Sequence, residues 1–417
     1  MEVIPAPTTS GMPQGWHQVS LLEIAAKRAN ATVGGPFGSD LVAKDYVHSG
    51  VPVIRGQNMG RGFVSGEFVF VTAVKAKALQ ANLTKPLDLV FTQRGTLGQV
   101  ALVPPAPFDE YVISQSQMKL TVDPMAADPV YIYQYFSSEF GQRQILDSAI
   151  QTGVPHTNLG ILRGYKVPMP QLVEDQLVVA TALTDADALI DSLEQLLTKK
   201  RQIKQGAMQE LLTGKRRLPG CDKPWVNRLF DGIAATSQER VNPSALTSPP
   251  LCLELEQLES GTGCLSGGAF ESQQAATKSV FRCGDVLFGK LRAYLRKYWL
   301  AEFDGVCSTE IWVLRPKGDL ASSKYLFYTV QRDEFIEAAS TAYGTHMPRS
   351  DWKIVSEFAV RVPRDPAEQE AIALVLADMD TDITALESRL TKARALKQAM
   401  AQALLTGRIR LTEGAAA

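Results

Sequence analysis

Residues 176–218, QLVVATALTDADALIDSLEQLLTKKRQIKQGAMQELLTGKRRL, recur as residues 369–411, QEAIALVLADMDTDITALESRLTKARALKQAMAQALLTGRIRL, at one constant offset and without a gap. About half of the positions are identical, which is too many for coincidence. The identities include the apolar pairs Leu183/Leu376, Ile190/Ile383, Leu193/Leu386 and Leu197/Leu390, and the basic pairs Lys199/Lys392, Arg201/Arg394 and Lys204/Lys397. Both copies close on Leu-Leu-Thr-Gly. The alternating three-and-four spacing of Ile190, Leu193 and Leu197, and of Ile383, Leu386 and Leu390, is that of a coiled-coil seam. From Glu174 this period runs without Pro until Gly214 ends it, with Gly206 as the internal weak point. It predicts a helix of roughly ten turns, near 60 Å at ~1.5 Å per residue.

Working outward, the two copies separate the chain into a tail (1–15), a first globular domain (16–170), a first repeated helix (171–214), a linker (215–224), a second domain (225–363), a second helix (364–407) and a closing tail (408–417). In the first domain, short β-branched and aromatic runs, Val51–Ile54, Glu67–Val71 and Asp88–Thr92, lie between Gly and Pro residues, as in a mixed domain of many short strands. Leu21–Arg28 and Val130–Gln151 read as helical interruptions. The second domain repeats this order in outline: Asp285-Val-Leu-Phe288 answers Asp88-Leu-Val-Phe91, and Val362-Pro363 answers Val167-Pro168. The expected class is therefore α+β, with two globular domains joined by two long helices.

A helix with one narrow apolar stripe needs a partner, and its own duplicate is the nearest. The linker between the first helix and Trp225 spans at most ~40 Å when fully extended, less than the helix is long. Antiparallel pairing follows, predicting a pseudo-two-fold rod with opposed domains. The domains have diverged far more than the helices, so the helices share one task while the domains differ in theirs.

Composition excludes several function classes. A net charge of −1 argues against a protein coated in positive charge, so any nucleic-acid site must be local. No long uncharged apolar stretch suggests a membrane span, and the first residues lack signal-peptide character, so the expected location is cytoplasmic. The five cysteines, Cys221, Cys252, Cys264, Cys283 and Cys307, form no CxxC and read as free buried thiols. Gly214-Lys215 continues into Arg216 rather than the Ser/Thr of a phosphate-binding loop. The histidines, His17, His48, His156 and His346, have no metal or triad spacing, and no Asn/Asp-Pro-Pro-aromatic methyltransferase loop occurs.

The order variable domain, repeated helix, variable domain, repeated helix resembles the specificity subunit of type I restriction-modification systems. The residues that carry the resemblance are Gly15-Trp16, Gly35-Pro-Phe-Gly-Ser39, Val53-Ile-Arg-Gly-Gln-Asn58, Asp88 to Gly98 and Val167-Pro-Met-Pro170 in the first half. In the second they are Leu253-Glu-Leu-Glu256, Gly284-Asp-Val-Leu-Phe288, Val362-Pro363 and Glu368-Gln369, with Leu-Leu-Thr-Gly ending each helix. The resemblance implies two target-recognition domains, each reading one half of a split site in double-stranded DNA. It implies helices that act as spacer and as docking surface for two modification (methyltransferase) subunits. It also implies no catalysis and no cofactor in this chain, with S-adenosylmethionine, ATP and Mg expected on partner subunits, among which restriction/translocase subunits remain an open question.

Base readout needs bidentate hydrogen-bonding side chains on loops that reach a groove. The first domain offers Arg55, Gln57, Asn58 and Arg61 on one Gly-flanked loop, and Gln93, Arg94 and Thr96 on another. The second offers Lys290, Arg292, Tyr294, Arg296 and Lys297, where alternation would place Lys290, Arg292, Tyr294 and Arg296 on one strand face. The alternative for each cluster is a solvated hairpin or turn held by its Gly residues. Lys199, Arg201, Lys392 and Arg394 suit phosphates crossing the helices or a solvated flank, and Asp175-Gln176 and Glu368-Gln369 read as helix caps. A competing reading is a coiled-coil adaptor that presents two protein-binding domains without touching DNA, and a third is a duplicated enzyme. A test of whether the purified chain with its modification partners protects one specific duplex separates them.

Overall fold

The computed structural model describes residues 12–151, 153–271, 276–318, 321–341 and 348–411. His346, most of the opening tail and the end of the closing tail lie outside the described residues. The predicted helices are present as Val173–Leu211 and Pro366–Leu404, 39 residues each. Pro366 suits the first turn, where its missing N–H costs nothing.

The chain forms two compact units, residues 1–193 with 389–417, and residues 194–388. Each unit therefore takes one half of each long helix, a division not apparent in the linear order of the domains. In the first unit Val179, Ala180 and Leu183 share a core with Leu404 and Leu405, and Lys397 ion-pairs with Asp187 at 2.5 Å. In the second, Met208, Leu211 and Leu212 pack with Ile372, Ala373 and Leu376. There Lys204 meets Asp380 at 2.5 Å and Arg201 meets Glu387 at 2.6 Å. In each unit rising numbers on one helix meet falling numbers on the other, so the pairing is antiparallel. Leu183, Ile190, Leu193, Leu197, Leu376, Ile383, Leu386 and Leu390 are all buried.

Around its helix halves each unit builds one two-stranded, one four-stranded and one five-stranded sheet, the five-stranded sheets differing in strand order. In the first, Trp16–Ser20 pairs antiparallel with Lys166–Pro170. A four-stranded sheet runs in the order Thr32–Gly34, Gln117–Leu120, Leu89–Thr92, Val100–Leu102, and a five-stranded sheet contains one parallel pair, Val51–Ile54 beside Tyr111–Ile113. The second unit repeats this with Trp225–Leu229 against Ala359–Pro363. Its four-stranded sheet orders Ala234–Thr236, Ile311–Pro316, Val286–Gly289 and Tyr298–Leu300, and its parallel pair is Leu251–Leu253 with Gly305–Cys307.

Two expected helices are corrected. Leu21–Arg28 forms turns: Ser20 and Glu23 close a capping box that would open a helix, but the backbone then pairs with 121–123 instead. Ala25 bridges Val122, Ala26 N–H donates to the Thr121 carbonyl at 2.9 Å, and the Ile24 carbonyl accepts from Asp123 N–H at 2.8 Å. Val130–Gln151 divides into Pro129–Ser137 and Glu139–Asp147, with Ser138 extended between them. Gly141 lets the two helices meet: a Cβ there would lie 2.4 Å from the Phe136 Cα.

Asp175 and Glu368 lie in the first turns of their helices, as the dipole argument expects; the cap reading is corrected for the two glutamines. Gln176 is fully buried; its amide donates to the Pro170 carbonyl at 2.9 Å and its oxygen accepts from the Asp128 N–H at 2.9 Å. Gln369 does the same to Pro363 (2.9 Å) and Ser322 (3.1 Å). Each glutamine thus ties its helix to the last strand of the domain and to a short helix start. Glu368 is buried as well, held by a bidentate Arg217 and by the Trp225 Nε1 at 3.1 Å, so the 215–224 linker is bound down.

The Leu-Leu-Thr-Gly ends have a packing role. Gly407, at φ 68°, faces Trp16 and Pro13, where a Cβ would lie 2.7 Å from each; Gly214, at φ 69°, faces the Trp225 ring at 3.0 Å. The described parts of both tails are ordered by this contact, and Arg410 donates to the Gln14 carbonyl.

Candidate nucleic-acid interface

The loop after Leu89–Thr92 is fixed by its backbone. Gln93 N–H donates to the Ser116 carbonyl at 2.6 Å, Thr157 N–H donates to the Gln93 carbonyl at 2.9 Å, and Arg94 bridges His156. Gly95, at φ 94°, makes the turn. Arg94 and Thr96 are exposed and Gln93 is half-buried.

The loop after Val286–Gly289 has the same frame. Ser350 N–H donates to the Lys290 carbonyl at 2.8 Å and Leu291 bridges Arg349, while Arg292 N–H donates to the Pro348 carbonyl at 2.9 Å. The expected strand face is not formed. Ala293–Leu295 is one 3-10 turn, entered and left by Arg292 (φ 54°) and Arg296 (φ 53°) in the left-handed region. Two non-glycine residues in that region cost of order 1–3 kcal/mol each and are found where the surroundings over-determine the backbone. The turn leaves Tyr294 and Arg292 exposed. Arg296 pairs with Asp333, and Lys297 Nζ donates to the Leu255 carbonyl at 2.7 Å.

The other first-domain cluster divides. Asn58 is fully buried and organises its loop: its oxygen accepts from Arg55 N–H at 3.1 Å, and its amide donates to the Ser65 and Glu67 carbonyls at 3.0 Å each. It is a structural residue, because both amide hydrogens and an oxygen lone pair are spent inside the loop. Gln57 and Arg61 are exposed and Arg55 is half-buried. Arg61 lines a groove of about 650 Å³ against Asp187, Arg394 and Lys397 of the same unit.

The corresponding turn of the second unit closes identically, with Glu254 N–H donating to the Gln257 side chain at 2.7 Å. Where the first domain presents Arg55 and Gln57, the second presents Glu254 and an exposed Glu256. Glu254 is ion-paired with the buried Lys278, which leaves Glu256 as the exposed carboxylate of Leu253-Glu-Leu-Glu256; a carboxylate there can accept from cytosine.

Elsewhere, Arg201 is taken by Glu387, whereas Lys199 and Lys392 are exposed. Of the cysteines only Cys252 and Cys307 are buried; Cys264 and Cys283 are exposed, correcting the uniform expectation. Burial pushes the Asp88 carboxyl up and the Lys119 ammonium down. Asp88 accepts from the Lys85 N–H at 2.9 Å and Asp285 from Arg282 at 2.9 Å, so this shared aspartate holds the turn into the central strand. Among the described residues no cluster of three or more His, Cys, Asp or Glu forms a metal site, and no helix is long and apolar enough to cross a membrane.

The family model for the type I restriction modification DNA specificity domain matches residues 13–205 and 273–393. The chain is 22% identical over 292 residues to the type I restriction enzyme EcoDI specificity subunit of Escherichia coli, covering 62% of this chain and 64% of that one. It is also 22% identical over 321 residues to the MjaVIII specificity subunit of Methanocaldococcus jannaschii, covering 72% and 75%. The fold is similar to a crystal structure of the type I restriction-modification S subunit from M. genitalium (TM-score 0.59, 14% identity, 98% of this chain and 100% of that one). It is similar too to a chain from a study of assembly and conformational transition of the type I R-M system (TM-score 0.55, 18% identity, 95% and 99%).

Proposed function

The chain belongs to the type I restriction-modification DNA specificity family, and we propose that it selects the DNA sequence on which its complex acts. Each globular domain reads one half of a bipartite, asymmetric target in double-stranded DNA. The paired helices set the unread gap and dock two modification subunits. The chain performs no chemistry of its own; methyl donor, ATP and Mg belong to partner subunits, in the cytoplasm.

One observation supports this reading most. Two loops with the same backbone pinning, at Gln93/Thr157 and Lys290/Ser350, carry different side chains: Gln93, Arg94 and Thr96 against Lys290, Arg292 and Tyr294. A fixed frame with exchanged hydrogen-bonding groups suits two different base sequences, since the frame positions and the side chains specify. Methylome sequencing of the host tests it. Methylated adenines in a two-part motif with a fixed gap should vanish when the gene is deleted, and methylation that persists would refute the reading.

A further inference from the structure

Phe37 is 83% exposed, yet its loop is firmly held. Gly35 lies directly on the turn at 114–115, where a Cβ would fall 2.1 Å from the Ser114 carbonyl oxygen. The Gln115 amide donates to the Gly38 and Leu41 carbonyls at 3.1 and 2.9 Å, and Asp40 N–H donates to the Phe37 carbonyl at 2.9 Å. Asn82 holds the other end through the Gly34 carbonyl at 2.8 Å. The turn at 114–117 also supports the two candidate reading loops: Ser114 N–H donates to the Ile54 carbonyl at 3.0 Å, and the Ser116 carbonyl accepts from Gln93 N–H. Gly34 sits beside the Gln93 side chain, where an added Cβ would lie 3.6 Å from Oε1.

We propose that Phe37 is a base-contacting aromatic of the first domain, stacking on a base at one step of the double-stranded target; this rests on the DNA-reading function above. A bare ring on a constrained loop keeps its apolar surface in water until a partner covers it. Val74 (81%) and Met125 (87%) are as exposed, but Phe37 is the one whose loop shares its support with Gln57, Gln93 and Arg94. A protein partner would want an apolar patch. A single ring on a loop that shares its support with hydrogen-bonding side chains suits a base step, where Phe wedges and stacks.

The test uses the chain co-expressed with its modification subunits, and a duplex carrying the motif found by methylome sequencing, with 2-aminopurine placed in the half-site read by the first domain. Phe37→Ala should weaken binding roughly tenfold and abolish the change in 2-aminopurine fluorescence, while Phe37→Trp keeps both. Thermal melting of Phe37→Ala should match wild type, because the ring supports no core. Unchanged affinity and fluorescence in Phe37→Ala would overturn the proposal, as would loss of the modification subunits from that variant, which would make Phe37 a protein contact. If the wild-type complex itself protects no duplex, the DNA-reading function fails; an unaltered Phe37→Ala beside a binding wild type sinks only the role of Phe37.

Discussion

Gln176 reaches from inside the first turn of its helix to the Pro170 carbonyl at 2.9 Å, and Gln369 reaches Pro363 at the same distance in the second unit. Replacing a fully buried Gln176 by Ala leaves the Asp128 N–H and the Pro170 carbonyl without their partner, each worth ~1–3 kcal/mol when stranded. Gln176→Ala should lower the melting temperature by several degrees, and Gln369→Ala should act similarly on the second unit. A surface cap would lose much less. Differential scanning calorimetry decides.

Gly407 faces Trp16 at a positive φ, so Gly407→Ala meets both the left-handed backbone, ~1 kcal/mol, and an aromatic ring too close to move freely. We expect a loss of about 2 kcal/mol together with a shift in tryptophan emission. Equal stability of wild type and variant in urea melts would contradict the packing role.

Within the loops, stability and recognition should separate. Asn58→Ala should destabilise the fold by ~1–3 kcal/mol through its lost internal bonds. Arg94→Ala and Tyr294→Ala, at exposed positions, should change melting by under ~0.5 kcal/mol yet weaken protection of the target duplex. Melting and footprinting on the same preparations test this contrast.

Asp88 titrates above the ordinary carboxylate range because it is desolvated. The folded state then binds the proton more readily than the unfolded chain, so wild-type stability falls as pH rises from ~3.9 through the raised folded value. Asp88→Asn keeps the acceptor for Lys85 N–H without the charge. The melting-temperature difference should move in favour of Asn across that interval and stay constant at neutral pH. A difference moving the other way would count against burial as the cause.

If the helices set the unread gap, inserting four residues, ~6 Å of helix, at matching points of both should lengthen it by about one or two base pairs at ~3.4 Å per pair. Retained methylation with the original gap, read by methylome sequencing, would exclude the helices as spacers.

The repeat at 176–218 and 369–411 determined by itself the two long helices, their seam from Leu183 to Leu197 and from Leu376 to Leu390, and their antiparallel sense. Helical period and linker length are local or nearly local quantities, and they are written in the order of residues. Only the tertiary structure decided that Asn58 is internal, that Arg292 and Arg296 break the expected strand, that Glu254 and Glu256 take the places of Arg55 and Gln57, and that Gln176 and Gln369 are locks rather than caps. Those assignments depend on which backbone carbonyls come near a side chain. The Lys290 carbonyl meets Ser350 from 60 residues away, and Gln176 meets the Asp128 N–H from 48. The Glu67 carbonyl lies only 9 residues from Asn58, but the path of its loop brings it there, and no pattern of residue types records these approaches.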